Sequence, residues 1–320
     1  MSTRPTIVVT ERLDDSAAAW LTDRARVIHC SSDATEFSEA LSSAVGLVVR
    51  TYTQVDDALL DRAPLLRVVG RAGVGVDNID LSACARRGIP VVHTPDANSQ
   101  AVTEFITALV FDAIRPRCRV TAPLPLAEWN RLRSANVGRR QLDELIVGVL
   151  GFGRIGRRVG RTLSAFGGKV QYFDVAEVPE SDRAGARSVD RETLFRTSDI
   201  LTVHVDGRSS NRMLLGPAEF EMMKPDAILI NTARGFVIDA PALARHLSRV
   251  PEFRAFLDVH EPEPLPADHP LLRQPNAVLT PHIAGRTDRA LARMSEVVFD
   301  VMAVLEGREP RYPVGASAME

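Results

Sequence analysis

At 320 residues, the chain is longer than one hydrophobic core usually extends, so about two domains are expected. Apolar residues make up 45% and charged residues 25%, which excludes a disordered or fibrous protein. The 39 lysines and arginines nearly balance the 41 aspartates and glutamates, so the net charge gives no reason to expect a nucleic-acid partner.

The cysteines, Cys30, Cys84 and Cys118, are far apart and odd in number. This pattern favours a reducing compartment over a disulfide framework or a metal site. Charged residues near the N-terminus interrupt any signal-peptide core, and the best membrane-helix candidate, 105–114, is too short and contains an aspartate. We therefore expect a cytoplasmic protein without a membrane segment or a metal.

Short β-branched runs alternate with longer amphipathic stretches in the first part of the chain. The predicted strands are 6–9, 46–49, 66–69 and 90–93. The predicted helices are 16–25, 37–44 and 81–87, followed by a long helix over 99–114. This alternation predicts a parallel sheet with right-handed crossovers.

A second alternating series follows a proline- and arginine-rich stretch, 116–140, that we predict to be irregular. Its predicted strands are 146–150, 169–173, 200–205, 227–231, 255–259 and 277–280. Its predicted helices are 154–166, 191–196, 217–223 and 240–249, and one last helix is expected over 287–305. The chain is thus predicted to be an α/β protein with two open parallel sheets.

A glycine-rich loop begins the second series. Gly151, Gly153 and Gly156 follow a predicted strand and open a helix, and Asp174 ends the next strand. In this context the spacing is typical of a dinucleotide site, where backbone N–H groups at the helix N-terminus bind the pyrophosphate. An aspartate at position 174 suits the ribose hydroxyls and would repel a 2′-phosphate, so NAD is favoured over NADP.

Polar residues follow three further strands of this series. Arg234 follows one strand, Glu261 and Glu263 the next, and His282 the last. Because the carboxyl ends of parallel strands face the ligand crevice, these side chains are expected to lie near the dinucleotide. Histidine can donate a proton at neutral pH, a carboxylate can orient it, and an arginine fork can bind a substrate carboxylate.

Each of these residues also has a purely structural interpretation when taken singly: a surface ion pair for the arginine, a loop residue for the histidine and a stiff solvated loop for the glutamates. Their joint position behind a dinucleotide motif favours the catalytic interpretation. His204 and His93 also end predicted strands and compete for the acid–base role. Neither has a comparable arginine and carboxylate pattern around it, and we interpret both as structural.

Together these segments resemble the D-isomer-specific 2-hydroxyacid dehydrogenases, from about position 45 to position 305. The likeness rests on Arg71-Ala-Gly-Val-Gly-Val-Asp-Asn78, the Gly151 loop, Asn231-Thr-Ala-Arg-Gly235, Asp258-Val259 and Pro281-His-Ile-Ala-Gly285. The resemblance implies a Rossmann NAD-binding domain, 99–284, inserted in a flavodoxin-like substrate-binding domain, 1–98 and 285–320. It also implies an active site in the interdomain cleft and a homodimer built through the NAD-binding domain, with 116–140 as the dimer arm.

The resemblance assigns a role to individual positions. It implies that Arg234, Glu263 and His282 are catalytic, Glu263 being preferred to Glu261 because the family glutamate lies five places after the aspartate and before a proline. The cofactor set that it implies comprises Gly151, Gly153, Arg154, Ile155, Gly156, Asp174, Thr232, Ala233 and Asp258, the last holding the nicotinamide carboxamide. The substrate set comprises Arg50, Arg71 and the backbone N–H groups of Val74 and Gly75.

The chain departs from the family pattern at a few positions. Asp206 stands where a proline is frequent, Arg286 where a small residue is common, and Tyr52 where some phosphoglycerate dehydrogenases have a second arginine. Arg50 and Arg71 nevertheless match basic positions of phosphoglycerate dehydrogenases, so 3-phosphoglycerate is one expected substrate. The alternatives are a glyoxylate or hydroxypyruvate reductase, a corepressor-like NADH-sensing protein, and a relative acting on formate or phosphite.

Overall fold

Two separate parallel sheets form, one in each of two units of the chain. The computed structural model describes residues 4–115 and 117–315. Within them, unit 1 comprises 4–98 and 286–315, and unit 2 comprises 99–115 and 117–285.

Strands and helices alternate along most of the chain. The strands are β1 Thr6–Val9, β2 Arg26–His29, β3 Gly46–Val49, β4 Val68–Arg71, β5 Val91–His93, β6 Ile146–Leu150, β7 Lys169–Phe173, β8 Arg187–Ser188, β9 Ile200–Val203, β10 Ile228–Asn231, β11 Arg254–Leu257 and β12 Ala277–Leu279. The helices are α1 Asp15–Thr22, α2 Phe37–Ser42, α3 Asp57–Asp61, α4 Leu81–Arg86, α5 Ser99–Ile114, α6 Leu126–Ala135, α7 Arg154–Ala165, α8 Arg191–Thr197, α9 Pro217–Met222, α10 Ala240–Arg249, α11 Asp288–Ser295 and α12 Val297–Leu305.

The strand order reverses once in each sheet. Unit 1 has the order β2-β1-β3-β4-β5, and unit 2 has the order β12-β11-β10-β9-β6-β7-β8, with the paired strands parallel. The reversals lie between β1 and β3 and between β6 and β9, and open α/β sheets bind ligands in the crevice at such points. The predicted α/β class with two open parallel sheets is confirmed.

Helices cover both faces of the unit 2 sheet, which explains why its central strands are buried throughout and mostly apolar. All four residues of β9 and of β10 are buried. One face packs against α5 and α7, through residues such as Ile106 and Leu163, and the other against α8, α9 and α10, through residues such as Phe220. Because both faces of the sheet are covered, ligands can reach it only at the strand ends.

The structure corrects several predictions of secondary structure. The short elements α3 and β8 were not predicted. The edge strand β2 was not predicted because its end residues are exposed and it lacks a buried run. The stretch predicted to be irregular contains α6, a helix without a buried residue and hence without the apolar face that would reveal it. The single helix predicted over 287–305 is two helices, α11 and α12, which meet at Glu296.

The described cysteines are free thiols: Cys30 and Cys84 are buried and Cys118 is exposed. No helix in the described part of the chain is both long enough and apolar enough to cross a membrane.

Candidate active site

The glycine-rich loop between β6 and α7 contains glycines that are needed for different reasons. Gly151 has φ +89°, and a Cβ there would lie 2.8 Å from the carbonyl of His204. A Cβ at Gly156 would overlap the carbonyl oxygen of Gly151, so this glycine allows the helix to approach the loop. A Cβ at Gly153, in contrast, would meet no atom of the described residues within 4 Å. The protein itself does not require a glycine at 153, which points to space kept for a ligand.

Asp174, just after β7, is fixed beside this loop. One carboxylate oxygen accepts the backbone N–H of Phe152 at 2.5 Å, and the other accepts that of Ala176 at 2.9 Å. Each oxygen retains a lone pair for a further donor, such as a ribose hydroxyl. Asp174 therefore contacts the glycine-rich loop and can also accept hydrogen bonds from a dinucleotide ribose.

An ion pair that motif analysis did not assign to the site lies near this position, in the loop after β9. Arg208 donates from Nη2 to Asp206 at 2.6 Å and from Nε at 2.8 Å, and Asn211 donates to the same carboxylate. Burial alone would raise the pKa of Asp206, but the Arg208 hydrogen bonds, together with the charge of Arg234, lower it. Asp206, the departure from the family pattern, is thus electrostatically coupled to a predicted catalytic residue.

Arg234 follows β10 in a loop that a buried asparagine fixes. Asn231, which is 0% exposed, donates from Nδ2 to the Arg234 carbonyl at 2.9 Å and accepts the N–H of Ala233 at 3.0 Å. The Arg234 guanidinium donates to the carbonyl of Ala233 at 2.7 Å. In the same loop, Thr232 Oγ1 is buried and has no hydrogen-bond partner within the described residues. Sequence analysis missed the role of Asn231, because a buried asparagine at a strand end has no distinctive spacing.

Asp258, at the end of β11, organises the loop that carries His282. Its carboxylate is 0% exposed and accepts the N–H groups of Ile283 at 2.9 Å and Ala284 at 2.7 Å, and the hydroxyl of Thr280 at 2.5 Å. Its backbone carbonyl accepts the N–H of His282 at 2.8 Å. The predicted contact with a nicotinamide carboxamide stays a prediction, whereas these four bonds make Asp258 a support of the histidine loop.

His282 and Glu263 form a direct pair. His282 Nδ1 lies 2.8 Å from Glu263 Oε2, and the other oxygen of Glu263 accepts the backbone N–H of His260 at 2.8 Å. His282 has φ +54°, a left-handed conformation that costs a non-glycine residue about 1–2 kcal/mol. Such strain persists only where the surrounding structure holds it, and it is concentrated at functional sites.

The electrostatics of the pair favour an ionised glutamate. Burial alone would raise the pKa of Glu263, but the hydrogen bonds from His282 and from the His260 N–H outweigh burial and lower it. An ionised carboxylate on Nδ1 fixes the orientation of the His282 ring. The pair can therefore deliver a proton from the opposite ring nitrogen.

The structure separates the two candidate glutamates. Glu261 forms a two-bond ion pair with Arg212, at 2.8 and 2.9 Å, and the Arg212 guanidinium also lies over the ring of Phe236, 5.1 Å from its centroid. Glu261 is therefore committed to an arginine, while Glu263 faces His282.

The two competing histidines have other contacts. His204 Nε2 lies 2.9 Å from Thr202 Oγ1, and burial lowers the pKa of His204 to about 3, so its ring is neutral at physiological pH. His93, in unit 1, has Nδ1 2.9 Å from the carbonyl oxygen of Val74. Neither histidine contacts a carboxylate in these bonds, as the pairing of His282 with Glu263 does.

In unit 1, Arg50 follows β3 at the reversal of strand order. Its Nη1 donates to the Arg12 carbonyl at 3.1 Å, and its Nε is buried without a hydrogen-bond partner in the part of the chain that the structure describes. Burial lowers the pKa of the Arg50 guanidinium; Glu11 opposes this effect and the positive charge of Arg286 adds to it. Two guanidinium groups, those of Arg50 and Arg286, therefore lie near each other at this edge.

The other predicted substrate residues form a turn after β4. The guanidinium of Arg71 folds back to donate to the carbonyl of Ala72 at 3.2 Å and occupies the space that a Cβ at Gly73 would need. Gly73 has φ +155°. The backbone N–H groups of Val74 and Gly75 have no acceptor among residues 4–115 and 117–315, so they remain available to an anion.

The residues of unit 2 fit a bound dinucleotide. The open space at Gly153, the N-terminus of α7 and the remaining acceptor capacity of Asp174 lie along the edge where β6 and β7 end. The pyrophosphate would lie against the helix N-terminus, and the ribose against Asp174.

Comparison with known proteins agrees with this geometry. Residues 107–284 match the sequence profile described as "D-isomer specific 2-hydroxyacid dehydrogenase, NAD binding domain". A D-3-phosphoglycerate dehydrogenase of Archaeoglobus fulgidus is 35% identical over 276 residues, covering 86% of this chain and 52% of the relative. A glyoxylate reductase of Thermofilum pendens is 33% identical over 316 residues, covering 96% of this chain and 93% of the relative. The chain spans about half the length of the phosphoglycerate dehydrogenases that it matches.

Solved structures show the same fold over nearly the whole chain. The TT0316 protein of Thermus thermophilus superposes with a TM-score of 0.84 at 33% identity, covering 97% of this chain and 100% of the other. A D-lactate dehydrogenase of Aquifex aeolicus, complexed with NAD and lactic acid, gives 0.81 at 27% identity, with coverages of 94% and 96%. The resemblance, the Rossmann fold of unit 2 and its assignment to NAD are thereby confirmed, and the chain belongs to the D-isomer-specific 2-hydroxyacid dehydrogenase family.

Proposed function

We propose that the chain is an NAD-dependent oxidoreductase that interconverts a D-2-hydroxy acid and its 2-keto acid. The observation that carries this proposal is the Glu263–His282 pair, with 2.8 Å between Oε2 and Nδ1, at the end of the sheet where the glycine-rich loop lies. Unit 2 supplies the dinucleotide site in this proposal, and unit 1 the substrate-binding groups.

His282 acts as the acid and base. Because Nδ1 faces Glu263, Nε2 is the nitrogen left to give a proton to the keto oxygen or to accept it from the hydroxyl group. Glu263 stays ionised and stabilises the charged imidazole, as its lowered pKa supports. A dinucleotide held by the glycine-rich loop and Asp174 would supply the hydride-transfer chemistry in either direction.

The remaining residues bind and orient. The Arg234 guanidinium, which follows β10, can hold the substrate carboxylate with two hydrogen bonds and polarise the adjacent carbonyl. The backbone N–H groups of Val74 and Gly75, which have no acceptor among the described residues, are suited to the same carboxylate group. The proposed cofactor-binding residues are Gly151, Gly153, Arg154, Ile155, Gly156, Asp174, Thr232, Ala233 and Asp258.

3-Phosphoglycerate is the proposed substrate, and glyoxylate or hydroxypyruvate is the alternative. The guanidinium groups of Arg50 and Arg286, which interact electrostatically, support a substrate with an anionic group besides its carboxylate. Arg71, the last residue of β4, adds a third positive charge in unit 1. Tyr52, 66% exposed, offers no charge for a phosphate and supports the smaller keto acids. A corepressor-like role, with NADH bound and no turnover, is less well supported because the arginine, glutamate and histidine are all present.

A homodimer in the cytoplasm is proposed as the working state. Exposed apolar side chains on and beside α6, including Leu126, Trp129 and Val137, support 116–140 as the dimer arm. The free thiols support a reducing compartment. Sedimentation velocity on the chain and on a Trp129→Glu variant tests the dimer, because a charge on the arm should yield a monomer.

A substrate panel tests the proposed activity. NADH oxidation is followed at 340 nm with 3-phosphohydroxypyruvate, hydroxypyruvate, glyoxylate and pyruvate, for the chain and for Arg50→Ala. The proposal expects kcat/KM to be highest with 3-phosphohydroxypyruvate, and Arg50→Ala to lower this value at least tenfold while changing glyoxylate turnover little. An equal effect on all four acids would assign Arg50 to the fold rather than to the phosphate.

His282→Ala tests the chemistry. Loss of the acid should lower kcat by about 10²–10⁴-fold while NADH binding, measured by fluorescence, is retained. An undiminished kcat in His282→Ala would remove the proposed mechanism. Micromolar NADH binding without turnover of any acid would favour the sensor role, and NAD⁺ reduction with formate or phosphite would favour the nonhydroxyacid relatives.

A further inference from the structure

His260, in the loop after β11, contacts each of the segments that carry the proposed catalytic residues. Its backbone N–H donates to Glu263 Oε1 at 2.8 Å. Its ring Nε2 lies 2.8 Å from the carbonyl oxygen of Thr280, in the segment that leads to His282. Its own carbonyl packs so tightly on Gly235, the neighbour of Arg234, that a Cβ at Gly235 would overlap it.

The tautomer of the His260 ring follows from its partner. A carbonyl oxygen can only accept, so Nε2 carries the proton and donates it to Thr280. Nδ1 is buried and has no hydrogen-bond partner within the described ranges. Among residues 4–115 and 117–315, Glu263 and His269 are titratable groups that interact electrostatically with His260. The ring therefore makes one directional contact, with the Thr280 carbonyl.

That carbonyl is shared between the two histidines. The Thr280 oxygen also accepts the backbone N–H of His282, at 3.0 Å. His282 has the left-handed φ of +54°, so the orientation of the Thr280 carbonyl contributes to holding a conformation that the chain would otherwise leave. The His260 ring, which donates to the same oxygen, fixes that orientation from the other side.

We propose that His260 is a positioning residue for the Glu263–His282 pair, a proposal that rests on the function proposed above. Its backbone N–H holds the Glu263 carboxylate. Its ring holds the Thr280 carbonyl, which is one of the two carbonyls, with that of Asp258, that accept the His282 N–H. His260 itself touches no reacting atom in this role.

Two substitutions separate positioning from packing. His260→Gln keeps an N–H donor near the position of Nε2, whereas His260→Leu fills the space without a donor. A neutral hydrogen bond of ordinary strength corresponds to about a 3- to 10-fold effect. We expect kcat of His260→Leu to fall by that factor, with the KM values for NADH and the keto acid changed less than twofold, and His260→Gln to recover most of the loss.

His246→Leu is the matched control, because His246 is a buried histidine of α10, and neither ring nitrogen has a hydrogen-bond partner in the described structure. Its kcat should equal that of the unchanged chain. An unchanged kcat in His260→Leu would overturn the proposal. Equal losses in His260→Leu and His260→Gln, accompanied by raised KM values, would also overturn it, because they would indicate a general loss of structure.

A measurement without turnover separates this inference from the proposed function. The ring proton between His282 Nδ1 and Glu263 can be followed by proton–nitrogen NMR of the full chain and assigned by its absence in His282→Ala. It should persist in His260→Gln and exchange faster with solvent in His260→Leu. If no keto acid is turned over, the proposed function fails, while this signal still tests the positioning: identical exchange in both variants would refute it.

Discussion

Lowering the pH from 7 to 5 is expected to destabilise unit 2 through His204. Its ring lies against Thr202, and burial lowers its pKa from 6.5 to about 3. In the unfolded chain the same ring ionises near its ordinary value, so between these two pKa values the unfolded state binds more protons than the folded state. The neutral ring therefore makes its full contribution to the free energy of unfolding above pH 6.5, and this contribution is lost as the pH falls towards 3.

The size of the loss follows from the width of that pH interval. Each pH unit below the unfolded pKa costs about 1.4 kcal/mol while the folded ring stays neutral. From pH 6.5 to pH 5 the cost is therefore at most about 2 kcal/mol, an upper figure because the residue as a whole is only partly buried. This loss of stability affects the proposed cofactor site, because the His204 carbonyl packs against Gly151 of the glycine-rich loop.

Native-state hydrogen exchange of the β9 amides measures this effect within unit 2 without assuming that the whole chain unfolds in one step. The opening free energy is compared at pH 7 and pH 5 for the chain and for His204→Asn. His29→Asn, a change of an exposed histidine at the end of β2, is the control. The chain and the control should lose up to about 2 kcal/mol more than His204→Asn. Equal losses in all three would refute the reasoning.

Three further predictions concern the dinucleotide loop and the histidine loop. Gly153→Ala should leave the melting temperature unchanged but weaken NADH binding measured by fluorescence. Gly156→Ala should instead lower the melting temperature, because its Cβ would overlap the carbonyl oxygen of Gly151. The reverse pattern would contradict both assignments. Asp174→Ala should weaken NADH binding about tenfold and reduce the preference for NADH over NADPH, measured as a ratio of kcat/KM, and an unchanged ratio would argue against the ribose contact. Asp258→Asn places an amide NH2 group among the buried N–H donors that the carboxylate accepts. The free energy of unfolding in urea should therefore fall by about 1–3 kcal/mol, and kcat should also fall. Full activity would show that the carboxylate does not support the histidine loop.

Much of the site could be predicted because parallel sheets bring strand ends together. The positions of Arg234, Glu263 and His282 follow from three parallel strands, β10, β11 and β12, each followed by a polar residue. The burial of β10 and of most of β11 is visible in the sequence as apolar runs. The choice between Glu261 and Glu263, in contrast, came only from the family resemblance. The structure supplies its physical reason: Arg212, about fifty positions away in the chain, engages Glu261.

The supporting hydrogen bonds could not be predicted. Asn231 and His260 act through backbone groups of neighbouring loops, and such contacts depend on tertiary geometry rather than on spacing along the chain. Helix α6 was missed for a related reason, since periodicity reveals a helix only when one face is buried. Residues that line the site are therefore easier to recognise than residues that hold it in place.

The unequal surroundings of Gly153 and Gly156 imply that mutations at the two positions would be selected differently. A descendant that no longer needed a dinucleotide could accept a side chain at 153 without loss of stability, because a Cβ there would have no neighbour within 4 Å in the part of the chain that the structure describes. The same descendant would still need glycine at 156, because the carbonyl of Gly151 occupies the space that a Cβ would take. Among natural sequences of this fold, the residue aligned with 153 would then distinguish lineages that have abandoned redox chemistry from lineages that have kept it.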